Sequence, residues 1–118
     1  MKIIVVGLGF VGLSNAVLLA QHNNVIGVDI LQKSVDAINS KKSPIIDPEI
    51  SDYLVNKKLN LKASTDFKKS VIGANYIIIS TPTNYDENAN FFDTTSVEEI
   101  IADAIRYEPN ACIVIKST

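Results

Sequence analysis

The chain of 118 residues is 47% apolar and 20% charged, with 11 basic against 13 acidic residues and a formal net charge of −2. That size and apolar content fit one globular domain with its own core and exclude a disordered chain, while the mixed charge gives no electrostatic reason to expect nucleic acid or a membrane surface as a partner. A single cysteine excludes an internal disulfide, and without a convincing export signal the expected compartment is a reducing cytoplasm.

The apolar run at residues 2–6 predicts a buried strand leading into Gly7-Leu8-Gly9-Phe10-Val11-Gly12, where a helix is expected to start. Lys2 and the apolar stretch behind it have the outline of a signal peptide. They carry only one positive charge, however, and Ser14 and Asn15 interrupt a run too short and broken for a membrane helix. A second strand, 24–29, ends in Asp29. Strand, glycine turn, helix, then a second strand with a carboxylate at its tip is the dinucleotide-binding fingerprint in its required setting. Gly7 lets the chain turn sharply, Gly9 has no Cβ to hold the backbone off a pyrophosphate, and Gly12 lets the helix lie close on the sheet. The N–H groups at the helix start then face the phosphates. Asp29 is placed to accept hydrogen bonds from the adenosine ribose, and it would repel a 2′-phosphate, so NAD is favoured over NADP.

Further along, Leu31, Val35 and Ile38 recur at helical spacing in a helix expected to end near Asn39, before the polar loop Ser40-Lys41-Lys42-Ser43-Pro44. Asp47-Pro48 reads as an N-cap and first-turn proline opening a short helix with Ile50, Tyr53 and Leu54 on one face. Strands are expected at about 59–63, at 76–80 and at 111–116. Val97, Ile100, Ile101, Ala104 and Ile105 mark a helix before the last of these, with Thr95 and Glu98 as a capping box. Most strands are apolar on both faces, as in a parallel sheet between two helical layers. The order β-α-β-α-α-β-α-β-α-β predicts an α/β, doubly wound Rossmann-type sheet with strands arranged 3-2-1-4-5. Its ligand crevice lies beyond the carboxyl ends of the strands, where the glycine turn, Asp29, Thr81-Pro82-Thr83 and Ser117-Thr118 converge.

Thr81-Pro82-Thr83-Asn84-Tyr85-Asp86 opens a loop of about a dozen residues, long enough inside a compact domain to be read as functional. Pro82 fixes its direction, and the hydroxyls of Thr81 and Thr83 are candidates for the nicotinamide-side ribose or the pyrophosphate. Cys112, inside an apolar run read as a central strand, is expected to be a buried small hydrophobe rather than a catalytic thiol. His22, beside Asn23-Asn24, has no partner at metal-ligand spacing and reads as a loop histidine; no metal site is expected.

Gly7 to Leu13, Asp29, Ser43-Pro44-Ile45-Ile46-Asp47, Ser80 to Asp86, Phe92-Asp93 and Ile115-Lys116-Ser117-Thr118 together resemble the amino-terminal NAD domain of the UDP-glucose/GDP-mannose dehydrogenase family, over the whole chain and in order. Asn84-Tyr85-Asp86 leans toward the UDP-glucose 6-dehydrogenase branch. The resemblance implies oxidation of UDP-glucose to UDP-glucuronate by two NAD, through an aldehyde and covalent thiohemiacetal and thioester intermediates on a cysteine. It implies that Gly7, Gly9, Phe10, Val11 and Gly12 hold the pyrophosphate, Asp29 the adenosine ribose, and Thr83 the cofactor further in. Thr118 would touch NAD and position the water used in proton transfer, since a neutral hydroxyl is a poor base.

Two departures from the family pattern stand out. The basic residue expected five positions after Asp29 is replaced by Ser34, with Lys33 beside it as the candidate contact to the adenosine end, and Lys41-Lys42 stand where the family often has glycine. In the family the cysteine nucleophile lies beyond the segment matched here. The chain is therefore expected to be a monomeric part of a longer, homodimeric dehydrogenase, able to bind NAD but not to turn over the sugar nucleotide by itself. The alternatives are another sugar nucleotide, UDP-N-acetylmannosamine or GDP-mannose, or a non-catalytic NAD-sensing regulatory module.

Overall fold

The computed structural model describes residues 1–43, 47–80, 84–86, 91–93 and 95–116, with the backbone alone for 84–86, 91–93 and 95–97. In chain order the elements are β1 (Lys2–Val6), α1 (Phe10–Leu19), β2 (Asn24–Val28), α2 (Gln32–Asn39), α3 (Pro48–Asn56) and β3 (Leu61–Ser64). There follow α4 (Phe67–Val71), β4 (Tyr76–Ile79), β5 (Asn84–Asp86), β6 (Phe91–Asp93), α5 (Thr95–Tyr107) and β7 (Cys112–Ile115). Five strands form one parallel sheet in the order β3-β2-β1-β4-β7, which is the expected 3-2-1-4-5 arrangement.

β1 lies in the middle, and its period-two alternation explains why both its faces are apolar. Ile3 and Val5 pack with Ala16, Ala20 and Val25 on the α1 side. Ile4 and Val6 point the other way, into a cluster with Val71, Ile77, Ile79 and Ala104 that joins the sheet to α4 and α5. A third cluster, Leu13, Val17, Val35, Ile38, Ile50, Leu54 and Ala63, ties α1, α2 and α3 to β3. Ile4, Val5 and Ile77 are completely shielded from solvent, each worth roughly 1.5–3 kcal/mol of burial. The apolar amino terminus is thus a central strand followed by a packed helix. No helix among the described residues is long and apolar enough to cross a membrane.

The parallel ladder runs on past the strands at the carboxyl edge. Gly7 N donates to Val28 O at 2.8 Å, Asp29 N to Ser64 O at 3.2 Å, Ser80 N to Val6 O at 2.7 Å and Lys116 N to Ile79 O at 2.8 Å. The roots of four loops are thereby held in register along one edge.

The helix ends follow local chemistry. Pro48 stands at the start of α3, and the Asp47 carboxylate accepts from Glu49 N and Ile50 N, both at 3.0 Å, as the sequence led one to expect. α2 ends after Asn39, also as expected. Lys42 N donates to Ala37 O at 2.8 Å and Lys41 N to Ile38 O at 2.9 Å, with Lys41 at φ 61°. That is a Schellman cap, with lysine in the left-handed position that glycine ordinarily fills. The Thr95 side chain, and with it the expected capping box, lies outside the described residues.

Two expectations need correction. The segment after β4 was expected to be an irregular loop, but it contains an antiparallel pair, β5 with β6, in which Tyr85 stands opposite Phe92. The aromatic residues that flank the polar stretch Asp86-Glu87-Asn88-Ala89-Asn90 have the strand propensity that outweighs a loop reading. β7 is not central. Among the described residues it pairs with β4 alone, and Cys112 at its start is exposed. An apolar run alone does not distinguish a central strand from an edge one.

Candidate functional site

The glycine turn separates its three glycines by what each must tolerate. Gly7 is buried at φ 92°, a left-handed conformation that L side chains rarely adopt. A Cβ on Gly12 would lie 1.7 Å from the Gly7 carbonyl oxygen, so the first turn of α1 approaches the end of β1 as closely as only glycine permits. Gly9 differs from both. Its φ of −76° suits any residue, and a Cβ there would meet no described residue within 4 Å. The fold requires glycine at positions 7 and 12, whereas nothing among the described residues requires it at position 9, which fits a ligand's close approach there.

Gly9 and Phe10 are exposed at the start of α1, and Val11 is half-buried behind them. Gly9 is the N-cap, no side chain among the described residues caps the helix, and its first turn carries no acidic residue. The positive end of the helix dipole and its N–H groups are therefore not neutralised by the helix's own side chains, as an anion site requires. Leu8 anchors the turn from below, buried over Gly27, where a Cβ would stand 2.7 Å from the Leu8 Cδ2.

Asp29 follows β2 and is half-buried. Its Oδ2 accepts from Leu8 N at 2.9 Å and its Oδ1 from Leu31 N at 3.0 Å. A carboxylate offers about four acceptor positions, so two remain for hydroxyl donors. Lys33 is exposed in the first turn of α2, at the same end of the sheet as Asp29.

Thr81, Pro82, Thr83 and Thr118 lie outside the described residues. The last described residues before them, Ser80 and Lys116, donate to Val6 O and Ile79 O at the carboxyl edge. Ser80 carries a buried hydroxyl with no hydrogen-bond partner among the described residues, and its Cβ is 3.1 Å from where a Gly12 Cβ would be. In the sequence Ser80 stands at the end of a strand and the start of a family motif with no role of its own, and Leu8 and Gly27 have none either. A hydroxyl ending an otherwise aliphatic strand beside the glycine turn was the available signal. Cys112 stands at the opposite, amino-terminal end of its strand, level with Tyr76 rather than with Ile79. Position alone therefore removes it from the chemistry of this edge. His22 is exposed, and among the described residues no group of histidine, cysteine or carboxylate side chains can hold a metal ion.

An uncapped helix start, an open position at Gly9, a carboxylate at the next strand tip and an orphaned buried hydroxyl together fit a pyrophosphate-linked dinucleotide. Comparison with known proteins agrees. The model of the NAD-binding domain of the UDP-glucose/GDP-mannose dehydrogenase family matches residues 1–118. The UDP-glucose 6-dehydrogenase of Streptococcus pneumoniae is 52% identical over 118 residues, covering 100% of this chain and 30% of that protein. The GDP-mannose 6-dehydrogenase of Pseudomonas aeruginosa is 36% identical over 126 residues, covering 100% of this chain and 28% of that protein. The crystal structure of a ternary complex of GDP-mannose dehydrogenase from the same genus and species superposes with a TM-score of 0.88 at 33% identity, over 100% of this chain and 28% of that one. The chain thus spans less than a third of the length of these relatives. It belongs to the UDP-glucose/GDP-mannose dehydrogenase family, of which it is an NAD-binding domain.

Proposed function

We propose that residues 1–118 form the amino-terminal cofactor domain of a UDP-glucose 6-dehydrogenase, which in the whole protein oxidises UDP-glucose to UDP-glucuronate with two NAD. The observation that carries the cofactor part is Gly9, a glycine that no described residue requires, standing exposed at a helix start that no described side chain caps. UDP-glucose, rather than GDP-mannose or UDP-N-acetylmannosamine, is supported by the higher identity to the UDP-glucose relative.

A bound NAD would supply the hydride acceptor for the oxidation. The chain's residues bind and orient it. The backbone of Gly7, Gly9, Phe10, Val11 and Gly12 holds the pyrophosphate through the start of α1. The two free acceptor positions of Asp29 take the adenosine ribose hydroxyls, and Lys33 approaches that end from α2. Thr81, Pro82 and Thr83 are assigned to the nicotinamide side. Thr118 is assigned to contact NAD and position water, because its hydroxyl is too weak a base to act alone. These 118 residues hold no thiol near the crevice, since Cys112 is at the far end of its strand. The chain alone is therefore expected not to carry UDP-glucose through the thioester stage to UDP-glucuronate.

Titration calorimetry of the chain with NAD and with NADP tests the cofactor reading. Binding of NAD with at least a tenfold preference over NADP is expected; equal affinity, or preference for NADP, overturns the role given to Asp29. A panel of sugar nucleotides with the whole protein tests the substrate, with two NADH formed per UDP-glucose as the expected yield.

A further inference from the structure

The Asp29 carboxylate is doubly engaged before any cofactor arrives. Its two oxygens accept from Leu8 N, 21 residues back in the glycine turn, and from Leu31 N, two residues ahead at the N-cap of α2. Both are charge-assisted bonds of good length, 2.9 and 3.0 Å. They tie the two loops together beyond the last ladder bond between them, Gly7 N to Val28 O. Leu8 lies between Gly7, in the left-handed conformation, and Gly9, in the extended one. Its N–H therefore sits at the point where the turn changes direction. On the other side of the carboxylate, Ile30 and Leu31 are strongly exposed, so little packing holds that loop in place.

We infer that Asp29 is a positioning residue for the glycine turn as well as a contact for the ribose: its carboxylate is the strut that fixes Leu8, and so the open face of Gly9, in the shape a pyrophosphate needs. The inference rests on the NAD-binding reading and adds a distinct role to a residue already given one. A turn held in its bound shape spares the cofactor the cost of ordering it. Cofactor selectivity and turn geometry then depend on one side chain. Replacing Asp29 to admit a 2′-phosphate loosens the phosphate site that both cofactors share.

Asp29→Glu separates the two roles. Glutamate keeps the charge and also serves as a ribose acceptor in this type of site. Its additional methylene moves the carboxylate off the short span between Leu8 N and Leu31 N. Amide hydrogen exchange on the ligand-free chain, followed by NMR, is expected to show at least a tenfold loss of protection at Leu8 and Leu31. Gly7, bonded to Val28 O, and the core amides of Ile4 and Ile77 are expected to be unchanged, which establishes that the variant is folded. NAD affinity is expected to fall at least tenfold.

Asp29→Asn retains one acceptor oxygen at the native side-chain length. It is expected to lose protection at one of the two amides and keep it at the other. Unchanged protection at Leu8 in both variants, or NAD binding by Asp29→Glu within twofold of the parent chain, overturns the strut. If the parent chain fails to bind NAD, the cofactor reading falls, and the exchange data decide the strut independently: loss at Leu8 in Asp29→Glu supports it and retention overturns it.

Discussion

Gly9 and Gly12 stand three residues apart and answer to different constraints, which a pair of alanine substitutions separates. Gly12→Ala drives a methyl group into the Gly7 carbonyl, 1.7 Å away, and backbone on both sides leaves nothing flexible to yield. It should cost about 3 kcal/mol or more, read as a lowered urea midpoint. Gly9→Ala meets open space at φ −76° and should leave stability within about 0.5 kcal/mol of the parent, yet reduce NAD affinity at least tenfold by calorimetry. Lys41 presents the opposite case, a residue that is conformationally expensive where it sits. At φ 61° in the cap of α2 it occupies a glycine position. Lys41→Gly is expected to stabilise the chain by about 1 kcal/mol, seen as a higher urea midpoint with an unchanged slope.

Among the elements, β3 is the edge of the sheet, and an edge strand leaves one row of backbone groups unpaired. Asn39, the last residue of α2, supplies the missing neighbour. Its Nδ2 donates to Ala63 O at 3.0 Å, and its Oδ1 accepts from Ala63 N at 2.9 Å. Asn39→Asp keeps the shape but sets a carboxylate oxygen against the Ala63 carbonyl. A loss of about 1–3 kcal/mol in urea unfolding is expected. This contact was not legible in the sequence, because it joins residues 24 apart through an amide that in one dimension is only the end of a helix. What could be read were features enforced locally: the apolar runs of the five sheet strands, the Asp47-Pro48 start of α3 and the glycine spacing. The two misreadings were tertiary. Cys112 was placed in a central strand because burial of a run was inferred from its composition, whereas its position depends on which strands lie beside it. The β5–β6 pair escaped because three-residue strands are too short to show a period.

For the molecule as a whole, the crevice belongs to no single element. Gly9 follows β1, Asp29 follows β2, Ser80 follows β4 and Lys116 follows β7, and the hydrogen bonds that hold their roots are the last rungs of the sheet's own ladder. A ligand lying across that edge contacts segments whose relative positions exist only in the folded state, so its binding energy adds to the stability of the entire sheet. NAD at a hundredfold excess over its dissociation constant should contribute about 2.7 kcal/mol. For a domain of this size that corresponds to a rise of about 10 °C in Tm by scanning calorimetry. The shift should grow with the logarithm of NAD concentration, and NADP at the same concentration should give a smaller one. Gly9→Ala supplies the control, because its own Tm should match the parent's while its response to NAD is largely lost. If Gly9→Ala responded to NAD as fully as the parent, the ligand would be stabilising the fold from somewhere other than the glycine turn.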